Sequence, residues 1–344
     1  MNKYLAKSLT VLMISLLAFG LKANGQDMHY SQFFNAPLIL NPALTGNHDY
    51  NFRVGAHYRS QWTSIAKPFV TPSLFFDMPL LADRRLGGDK IGIGLYIMND
   101  QAVGHKINAF NAALTAAYNK SLCYKESHVL SLGVEAGFIQ KSVKFDQLIF
   151  MDQFDDIYFE PSQTTGESFT ADNINFVDLG VGLTWKAKFS DKVSSVLGGA
   201  ISHLITTDES LTEVESDLPK LITAHVGAEI FFNDNLNLNP QLMYLNQNPF
   251  SQINVGASIG YTISEQFRSK TSIQLGAWYR LDDAVIGMVG VAFKNTELTF
   301  SYDVTTSGLK DAAKNTSAFE ISLIFNHEGF QSFPIRKAVP AIRH

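Results

Sequence analysis

Hydrophobic and polar residues alternate along most of the chain, from about residue 51 to residue 328. In the clearest stretch, Leu298, Phe300, Tyr302 and Val304 share one face, and the residues between them are polar. Alternation with a period of two is typical of β-strands whose two faces meet different surroundings. The pattern recurs often enough to predict an all-β protein.

We predict about fourteen strands from this alternation. They cover 51–62, 68–78, 89–99, 103–119, 127–140, 174–189, 192–204, 219–232, 235–246, 250–264, 270–281, 283–293, 295–305 and 316–327. The longest connections, 141–173, 205–218 and 306–315, follow the fifth, seventh and thirteenth of these strands. In an outer-membrane barrel with a periplasmic N-terminus, connections after odd strands face outside and the others are usually short. The lengths favour such a barrel, although a few connections break the rule.

Composition points the same way. Only 17% of the residues are charged, against about 25% in soluble domains. After the N-terminal region no apolar stretch is long enough for a membrane helix. Strands with one lipid-facing side spread their hydrophobicity thinly, so we predict an antiparallel transmembrane β-barrel over residues 51–328, in contact with the lipid of the bacterial outer membrane. A soluble sandwich or propeller is the alternative, but it would need more surface charge.

The N-terminal residues 1–25 have the features of a secretory signal peptide. Lys3 and Lys7 precede an apolar run, and Ala23-Asn24-Gly25 places small residues before Gln26. The alternative, a transmembrane anchor, needs roughly 20 apolar residues, and this run is shorter. We therefore predict an exported protein.

Residues 26–50 form a segment of another kind, which begins QDMHYSQFFNAPLILNPALTG. Pro37 and Pro42 each remove a backbone donor, and several large apolar side chains around them need cover from water. We expect an irregular segment that docks at the periplasmic mouth or in the lumen of the barrel. Strand glycines suit bends or close packing against such a segment; they include Gly92, Gly94, Gly133, Gly180, Gly182, Gly227 and Gly276.

The motifs Asn41-Pro42-Ala43 and Thr45-Gly46, followed by Tyr58-Arg59-Ser60-Gln61-Trp62 in the first strand, resemble the PorP/SprF family of type IX secretion outer-membrane proteins. The resemblance covers about residues 26 to 330. It implies an accessory needed for secretion or surface attachment of cargo, such as gliding adhesins, through a C-terminal sorting domain. The implied partners are that sorting domain, the type IX translocon and the periplasmic ring of the machine.

We expect Arg59, Gln61 and Trp62 to seat the docked segment with hydrogen bonds and an aromatic wall. An alternative assigns Trp62, together with Tyr58, to the interfacial aromatic girdle. The candidate residues of this contact site are Phe33, Phe34, Pro37, Asn41, Pro42, Arg59, Gln61 and Trp62.

Catalysis and cofactor binding find little support. The histidines are scattered and no His-Glu-x-x-His or Gly-x-Ser-x-Gly pattern occurs, so we predict a protein without enzymatic activity, cofactor or metal. A fatty-acid-type channel and a barrel lipase remain alternatives. An acidic run in the longest connection, with Asp152, Asp155, Asp156 and Glu160, is either a calcium site or a solvated loop. The net charge of -5 gives no indication of nucleic-acid binding.

The chain ends with an aromatic and basic stretch, residues 329–344, which we expect in the periplasm. It contains Phe330, Phe333 and Arg336. Contact with a periplasmic partner and a frayed terminus without a role are both consistent with it.

Overall fold

The protein forms a closed barrel of 14 antiparallel strands in which every strand pairs with its neighbours in the chain and β1 pairs with β14. The structure is a computed structural model, and it describes residues 27–62, 67–82, 89–123, 127–148, 153–155, 158–159, 171–211, 216–266, 269–308 and 316–327. The barrel strands are β1 Phe52–Gln61, β2 Phe69–Ala82, β3 Lys90–Ala102, β4 Ile107–Ser121, β5 His128–Val143, β6 Asn173–Lys188, β7 Val193–Ser202, β8 Leu221–Phe231, β9 Leu236–Gln247, β10 Phe250–Gln266, β11 Ser269–Arg280, β12 Ala284–Phe293, β13 Thr296–Thr305 and β14 Thr316–His327. The predicted fold class is therefore confirmed.

The strand boundaries differ from the predicted ones by a few residues, and β4 shows why. It was expected to begin at 103 but begins at Ile107. Val103, Gly104 and His105 all have positive φ angles, of 50°, 66° and 68°. A run of left-handed residues makes a tight turn and cannot continue a strand, and alternation alone does not reveal it.

The two ends of the barrel differ in their connections. We call the end reached by odd-numbered strands the long-loop mouth, because the extended connections 144–172, 203–220 and 306–315 lie there. Inside the first of these, Phe154–Asp155 pairs with Tyr158–Phe159. The opposite end, where β1 begins and β14 ends, we call the short-turn mouth. The predicted relation between loop length and strand parity is observed.

The two faces of the sheet have opposite chemistry. On β13, Leu298 and Phe300 point outward and are 51% and 42% exposed, whereas Thr299 and Ser301 point into the lumen and are 1% and 0% exposed. A soluble protein would bury the first pair and expose the second. An apolar outer band around a polar interior is the arrangement that lipid requires of a closed barrel.

The lumen is filled by residues 27–50, which we call the lumen segment. It enters at the long-loop mouth, where Asp27 bonds to Gln247 at the end of β9. It leaves at the short-turn mouth, where the amide of Asn51 donates to the carbonyl of His327. The segment thus runs the whole length of the barrel before the chain turns back as β1.

The lumen segment consists of three short helical turns and not of wholly irregular chain. They are a 3-10 turn at Phe33–Asn35, a single α-helical turn at Pro37–Leu40 and a 3-10 turn at Pro42–Leu44. Each proline stands at the start of its turn, where the missing amide hydrogen has no partner to lose. The prolines that exclude a long helix therefore begin two short ones.

Several predictions from the sequence fall outside the described residues. They are the signal peptide 1–25, the tail 329–344 and, within the calcium alternative, Asp152, Asp156 and Glu160. Among the residues that are described, no helix is long and apolar enough to cross a membrane.

Candidate functional site: the lumen segment and its walls

The N-terminal end of the lumen segment is fixed at the long-loop mouth by Asp27. Its amide donates to Gln247 Oε1 at 2.7 Å, and its carboxylate accepts from Gln247 Nε2 at 2.9 Å. His203, directly after β7, places Nε2 2.5 Å from the same carboxylate and Nδ1 3.0 Å from Asp178. We call this group the Asp27 latch.

The charges of the Asp27 latch support one another. Burial by itself lowers the pKa of His203, but the carboxylates of Asp178 and Asp27 outweigh it and raise that pKa to about 10. Burial raises the pKa of Asp27, and the hydrogen bond and charge of His203 outweigh that effect and lower it. At neutral pH the imidazolium therefore lies between two carboxylates.

Below the latch, a buried network of charges holds Ser31 and Gln32. The backbone amides of these two residues donate to the two carboxylate oxygens of Glu320, at 2.6 and 2.8 Å. Glu320 is in turn paired with Arg59 of β1. Arg59 and Glu320 are 1% and 0% exposed, so each would be costly to bury without the other.

Ser31 is the centre of this network. Its hydroxyl donates to Asp303 Oδ2 at 2.7 Å and accepts from Arg59 Nη1 at 2.8 Å and from Arg280 Nη2 at 2.5 Å. Arg280 also pairs with Asp303 at 2.6 Å. The barrel wall thus balances its own charges and presents them to an uncharged part of the segment, where they act as hydrogen-bond partners.

Amide side chains fix the middle of the segment. The Asn35 side-chain nitrogen donates to Ser322 Oγ at 3.0 Å, and the backbone carbonyl of Asn35 accepts from His57 Nε2 at 2.7 Å. The Asn41 carboxamide oxygen accepts from the amide of Ala43 at 2.9 Å, which caps the Pro42–Leu44 turn. The Asn41 nitrogen lies within 3.3 Å of the Leu183 and Gly199 carbonyls and of His225. Asn41 therefore caps the Pro42–Leu44 turn with its side-chain oxygen and contacts β6, β7 and β8 with its side-chain nitrogen.

Near the short-turn mouth, Asp77 of β2 receives the segment. The Gly46 amide donates to Asp77 Oδ2 at 2.8 Å, and Arg53 donates to both oxygens of the same carboxylate at 2.9 Å. Gly46 has a φ of 61°, and a Cβ there would lie 2.6 Å from the Gly92 Cα. Glycine is thus required at the point where the segment bends toward β1.

Glycines on the lumen side of the strands form a track for the segment backbone. A Cβ on Gly92 would lie 2.2 Å from the Thr45 carbonyl oxygen, and one on Gly133 would lie 2.3 Å from the Ala43 nitrogen. A Cβ on Gly182 would lie 2.0 Å from the Asn41 carboxamide oxygen. The expectation that these glycines pack against an interior segment is confirmed, and Gly94 joins them through Leu38. A Cβ at Gly180 or Gly227 would have its closest neighbours on the barrel strands.

The apolar side chains of the segment find cover on two sides of the lumen. Phe33 packs in a cluster whose wall residues are Met243, Trp278, Ile286 and Met288. Leu38, which is fully buried, packs in a second cluster whose wall residues are Phe75, Tyr96, Ala113 and Ile324. Burying each such side chain is worth about 1.5–3 kcal/mol, so the segment contributes to the stability of the barrel as well as filling it.

The candidate residues predicted in β1 lie at the long-loop end of that strand. Arg59 contacts the segment directly through Ser31, whereas Gln61 accepts from Arg59 Nη2 at 3.3 Å. Trp62 packs edge-on against Phe69, with ring centroids 4.9 Å apart. The aromatic wall against the segment is supplied instead by Trp278, whose ring stacks on Phe34 at 5.1 Å.

The residues that were not predicted from the sequence are charged residues of the wall and polar residues of the segment. The principal ones are Ser31, Asp77, Arg280, Asp303 and Glu320. One signal was available, because Asp303 and Glu320 are charged residues on the polar faces of strands whose opposite faces are apolar. A charge in such a place is expensive unless it is paired, but the sequence does not say with what.

The described side chains of the lumen are arranged to hold a peptide. Within the ranges that the structure describes, no group of three or more His, Cys, Asp or Glu side chains is arranged to hold a metal ion. Arg59, Arg280, Asp303 and Glu320 are paired with one another and bond to the segment. Fold and site together define a membrane β-barrel whose lumen is closed by its own N-terminal segment.

The family can now be stated. The family model described as type IX secretion system membrane protein PorP/SprF matches residues 22–325, which is most of the chain. The protein belongs to this family, and it is a type IX secretion membrane protein of the bacterial outer membrane. No curated protein matches its sequence.

Solved structures of other outer-membrane barrels are similar at low identity. A Pseudomonas aeruginosa FadL homologue is 10% identical over 83% of this chain and 92% of its own, with a TM-score of 0.49. The P. putida toluene transporter TodX is 10% identical over 86% of this chain and 94% of its own, with a TM-score of 0.48. The monoaromatic hydrocarbon channel CymD is 9% identical over 86% and 93%, with a TM-score of 0.48.

Proposed function

We propose that this barrel is a non-enzymatic accessory of the type IX secretion system that holds exported cargo at the cell surface through the cargo's C-terminal sorting domain. The observation that carries the proposal is the filled lumen. The lumen segment extends from Asp27 at one mouth to Asn51 at the other. A barrel filled along its length by its own chain suits an anchor better than a conduit.

The long-loop mouth is the docking face in this proposal. The connections after β5, β7 and β13 meet there. Part of the β7–β8 connection is ordered by backbone bonds, from the Glu209 amide to the Ser216 carbonyl at 2.8 Å and from the Leu218 amide to the Thr207 carbonyl at 3.0 Å. Such a loop offers a surface of fixed shape to a partner. The translocon and the periplasmic ring would contact the short-turn mouth, where β14 ends at His327. Gliding adhesins are one class of cargo that fits the role.

A covalent lock on the lumen segment separates an anchor from a conduit. The Asn35 side-chain nitrogen lies 3.0 Å from Ser322 Oγ on β14. We therefore suggest the double variant Asn35→Cys with Ser322→Cys, in a Cys123→Ser background, to fix the segment to the wall by a disulfide. The measurement is the amount of sorting-domain cargo on intact cells that express the locked barrel.

An anchor with a permanently filled lumen keeps its surface cargo when the lock is closed. Loss of cargo that appears only in the double variant and is reversed by reductant would contradict the proposal, because it would mean that the lumen must open. The two single-cysteine variants are the matched controls. Co-purification of the sorting domain with the locked barrel in detergent tests the anchoring step directly, and a locked barrel that fails to retain it would also count against the proposal.

A further inference from the structure

A cavity of about 140 Å³ lies beside the lumen segment on the side of the lumen that β3 to β8 enclose. It reaches from Glu135, well inside β5, to His203 and Leu218 at the long-loop mouth. Asp27 and Met28, the first described residues of the lumen segment, form part of its wall. A cavity of about 150 Å³ in another protein holds a benzene molecule, so this space suits a small organic group.

Four carboxyl groups line the cavity, and two of them, Glu135 and Asp178, lie on barrel strands away from the strand ends. Glu135 and Asp178 lie on the neighbouring strands β5 and β6. Asp178 pairs with Gly137, which is two residues along β5 from Glu135. They are 6% and 3% exposed. Asp100 and Asp27 add two further carboxylates to the lining. Buried carboxylates at such close quarters repel one another and favour a cation among them.

The basic residues of the lining do not balance these charges. His203 is shared between Asp27 and Asp178, and Lys141 is paired with Glu209. Within the described part of the chain, Glu135 and Asp100 accept only from neutral donors, the Tyr96 hydroxyl at 3.0 Å and the Thr71 hydroxyl at 2.6 Å. Carboxyl groups of the lining therefore outnumber the basic groups that could neutralise them.

Apolar side chains form much of the remaining lining, beside the polar residues Asn111 and Ser202. They include Met28, Ile39, Met98, Phe110, Leu218 and Leu221. A pocket with apolar walls and a few convergent polar groups is the usual form of a small-ligand site. Apolar walls leading to buried carboxylates match a ligand with a hydrocarbon stem and a cationic end, which is also how lysine and arginine side chains are built.

We propose that this cavity binds a protonated amine or guanidinium group carried on a short hydrocarbon stem. The group enters from the long-loop mouth, and its charge lies between Glu135 and Asp178. The ligand is either a basic side chain of a polypeptide docked at that mouth or a free alkylamine. Only the first of these sources rests on the proposed anchoring function.

The binding test uses the purified full-length barrel in detergent and three probes with the same stem: butylguanidinium, 1-butanol and butyrate. Calorimetric titration at pH 7 is expected to show binding of the cation at least about tenfold tighter than binding of the alcohol, and no binding of the anion. The loss of a charge-assisted hydrogen bond is of this size. Equal affinity for cation and alcohol, or no binding of the cation, would overturn the proposal.

Two variants locate the site. Glu135→Gln and Asp178→Asn are each expected to weaken butylguanidinium binding at least about tenfold. Glu135 is not part of the Asp27 latch, so Glu135→Gln should leave butanol binding unchanged, which shows that the cavity is intact. The control is Glu229→Gln, a carboxylate on β8 that accepts from Asn237 at 3.0 Å and does not line the cavity. Unchanged cation affinity in both cavity variants, or an equal loss in the control, would overturn the assignment. If a variant does not fold, the selectivity of the wild-type barrel among the three probes still decides.

A competition experiment identifies the source of the cation. If a basic side chain of the cargo occupies the cavity, saturating butylguanidinium reduces co-purification of the sorting domain with the wild-type barrel, and butyrate does not. If butylguanidinium binds but the sorting domain still co-purifies, the ligand is a free amine. A sorting domain that never co-purifies contradicts the anchoring role and leaves the calorimetric result standing.

Discussion

At the scale of single residues, contact between the lumen segment and the wall depends on glycines, which have no side chain, as much as on buried polar side chains. Three lumen-facing glycines, Gly92, Gly133 and Gly182, allow the segment backbone or Asn41 to come closer than any Cβ would permit. The polar contacts are made by residues that are almost wholly buried, such as Asn41 and Glu320. The sequence singled out the three glycines and Asn41 as contact candidates, whereas it did not single out Glu320.

We expect Gly133→Ala to destabilise the barrel by about 1–3 kcal/mol, the usual cost of forcing an extra group into a filled space. The new Cβ would lie 2.3 Å from the backbone of Pro42 and Ala43, and backbone atoms cannot turn aside as a side chain can. The free energy of unfolding in detergent, followed with denaturant, measures the effect.

The matched control is Gly137→Ala on the same strand and the same face. Its nearest neighbour would be Ala113 Cβ at 3.5 Å, an ordinary contact. We expect a change within about 0.5 kcal/mol for this variant. Equal destabilisation by both substitutions would mean that crowding against the segment is not the cause.

At the scale of elements, the lumen segment crosses the barrel from one mouth to the other, as each of the 14 strands does, but it is not a strand. Its three short turns are too short to be stable alone. They exist because the wall supplies acceptors for backbone amides at Glu320 and Asp77 and two apolar clusters for Phe33 and Leu38. The sequence predicted a segment that needs a partner surface, and the barrel provides it.

The Asp27 latch is expected to open at both extremes of pH. The raised pKa of His203 means that its stabilising charge is fully present below the ordinary value of 6.5 and is lost as the pH rises through about 10. The lowered pKa of Asp27 means that its contribution is present above the ordinary value of 3.8 and is lost as the pH falls through the lowered value. The latch is therefore strongest between these two ordinary values.

A spin label at Met28→Cys, in a Cys123→Ser background, measures this opening. We expect an immobile label at pH 6, a mobile one above pH 10, and a mobile one again when the pH is brought below the lowered pKa of Asp27. Addition of His203→Asn should make the label mobile at pH 6 and remove the transition near pH 10. A label whose mobility does not change from pH 6 to pH 11 would show that the latch does not hold this end of the segment.

At the scale of the whole molecule, the described chain begins and ends at opposite mouths of the barrel. Asp27 lies at the long-loop mouth, and His327 closes β14 at the short-turn mouth. In the proposed orientation the start of the lumen segment therefore faces the outside of the cell. The segment is then part of the surface that a docked partner meets, since Met28 lines the cavity at that mouth.

Labelling of intact cells with a membrane-impermeant maleimide tests this topology. In a Cys123→Ser background we expect Met28→Cys to be labelled from outside. Asp49→Cys lies on the same segment near the short-turn mouth, where the Asp49 side chain is 87% exposed, and should be labelled only after the cells are lysed. The reverse pattern would overturn the orientation, and labelling of both positions in intact cells would mean that the lumen is open.

The sequence alone was sufficient to predict the strands, their number, their faces, the relation of loop length to strand parity, and the family. Each of these predictions depends on a pattern or motif within a short stretch of the chain. A period of two is visible within one strand, and loop length is visible between two. It also drew attention to the strand glycines, of which Gly92, Gly133 and Gly182 border the segment, but it did not distinguish these from Gly180 and Gly227.

The path of the segment and the identity of its partners were decided only by the tertiary structure. Ser31 and Glu320 are 289 positions apart, and no local rule distinguishes Glu320 from the other polar residues that face the lumen. Closure of the barrel brings β1, β11, β13 and β14 around one short peptide, where each buried charge needs an opposite charge beside it. The closed barrel decides which residues meet there, so Arg280, Asp303 and Trp278 could not be predicted as contacts, whereas Arg59 was predicted from its motif.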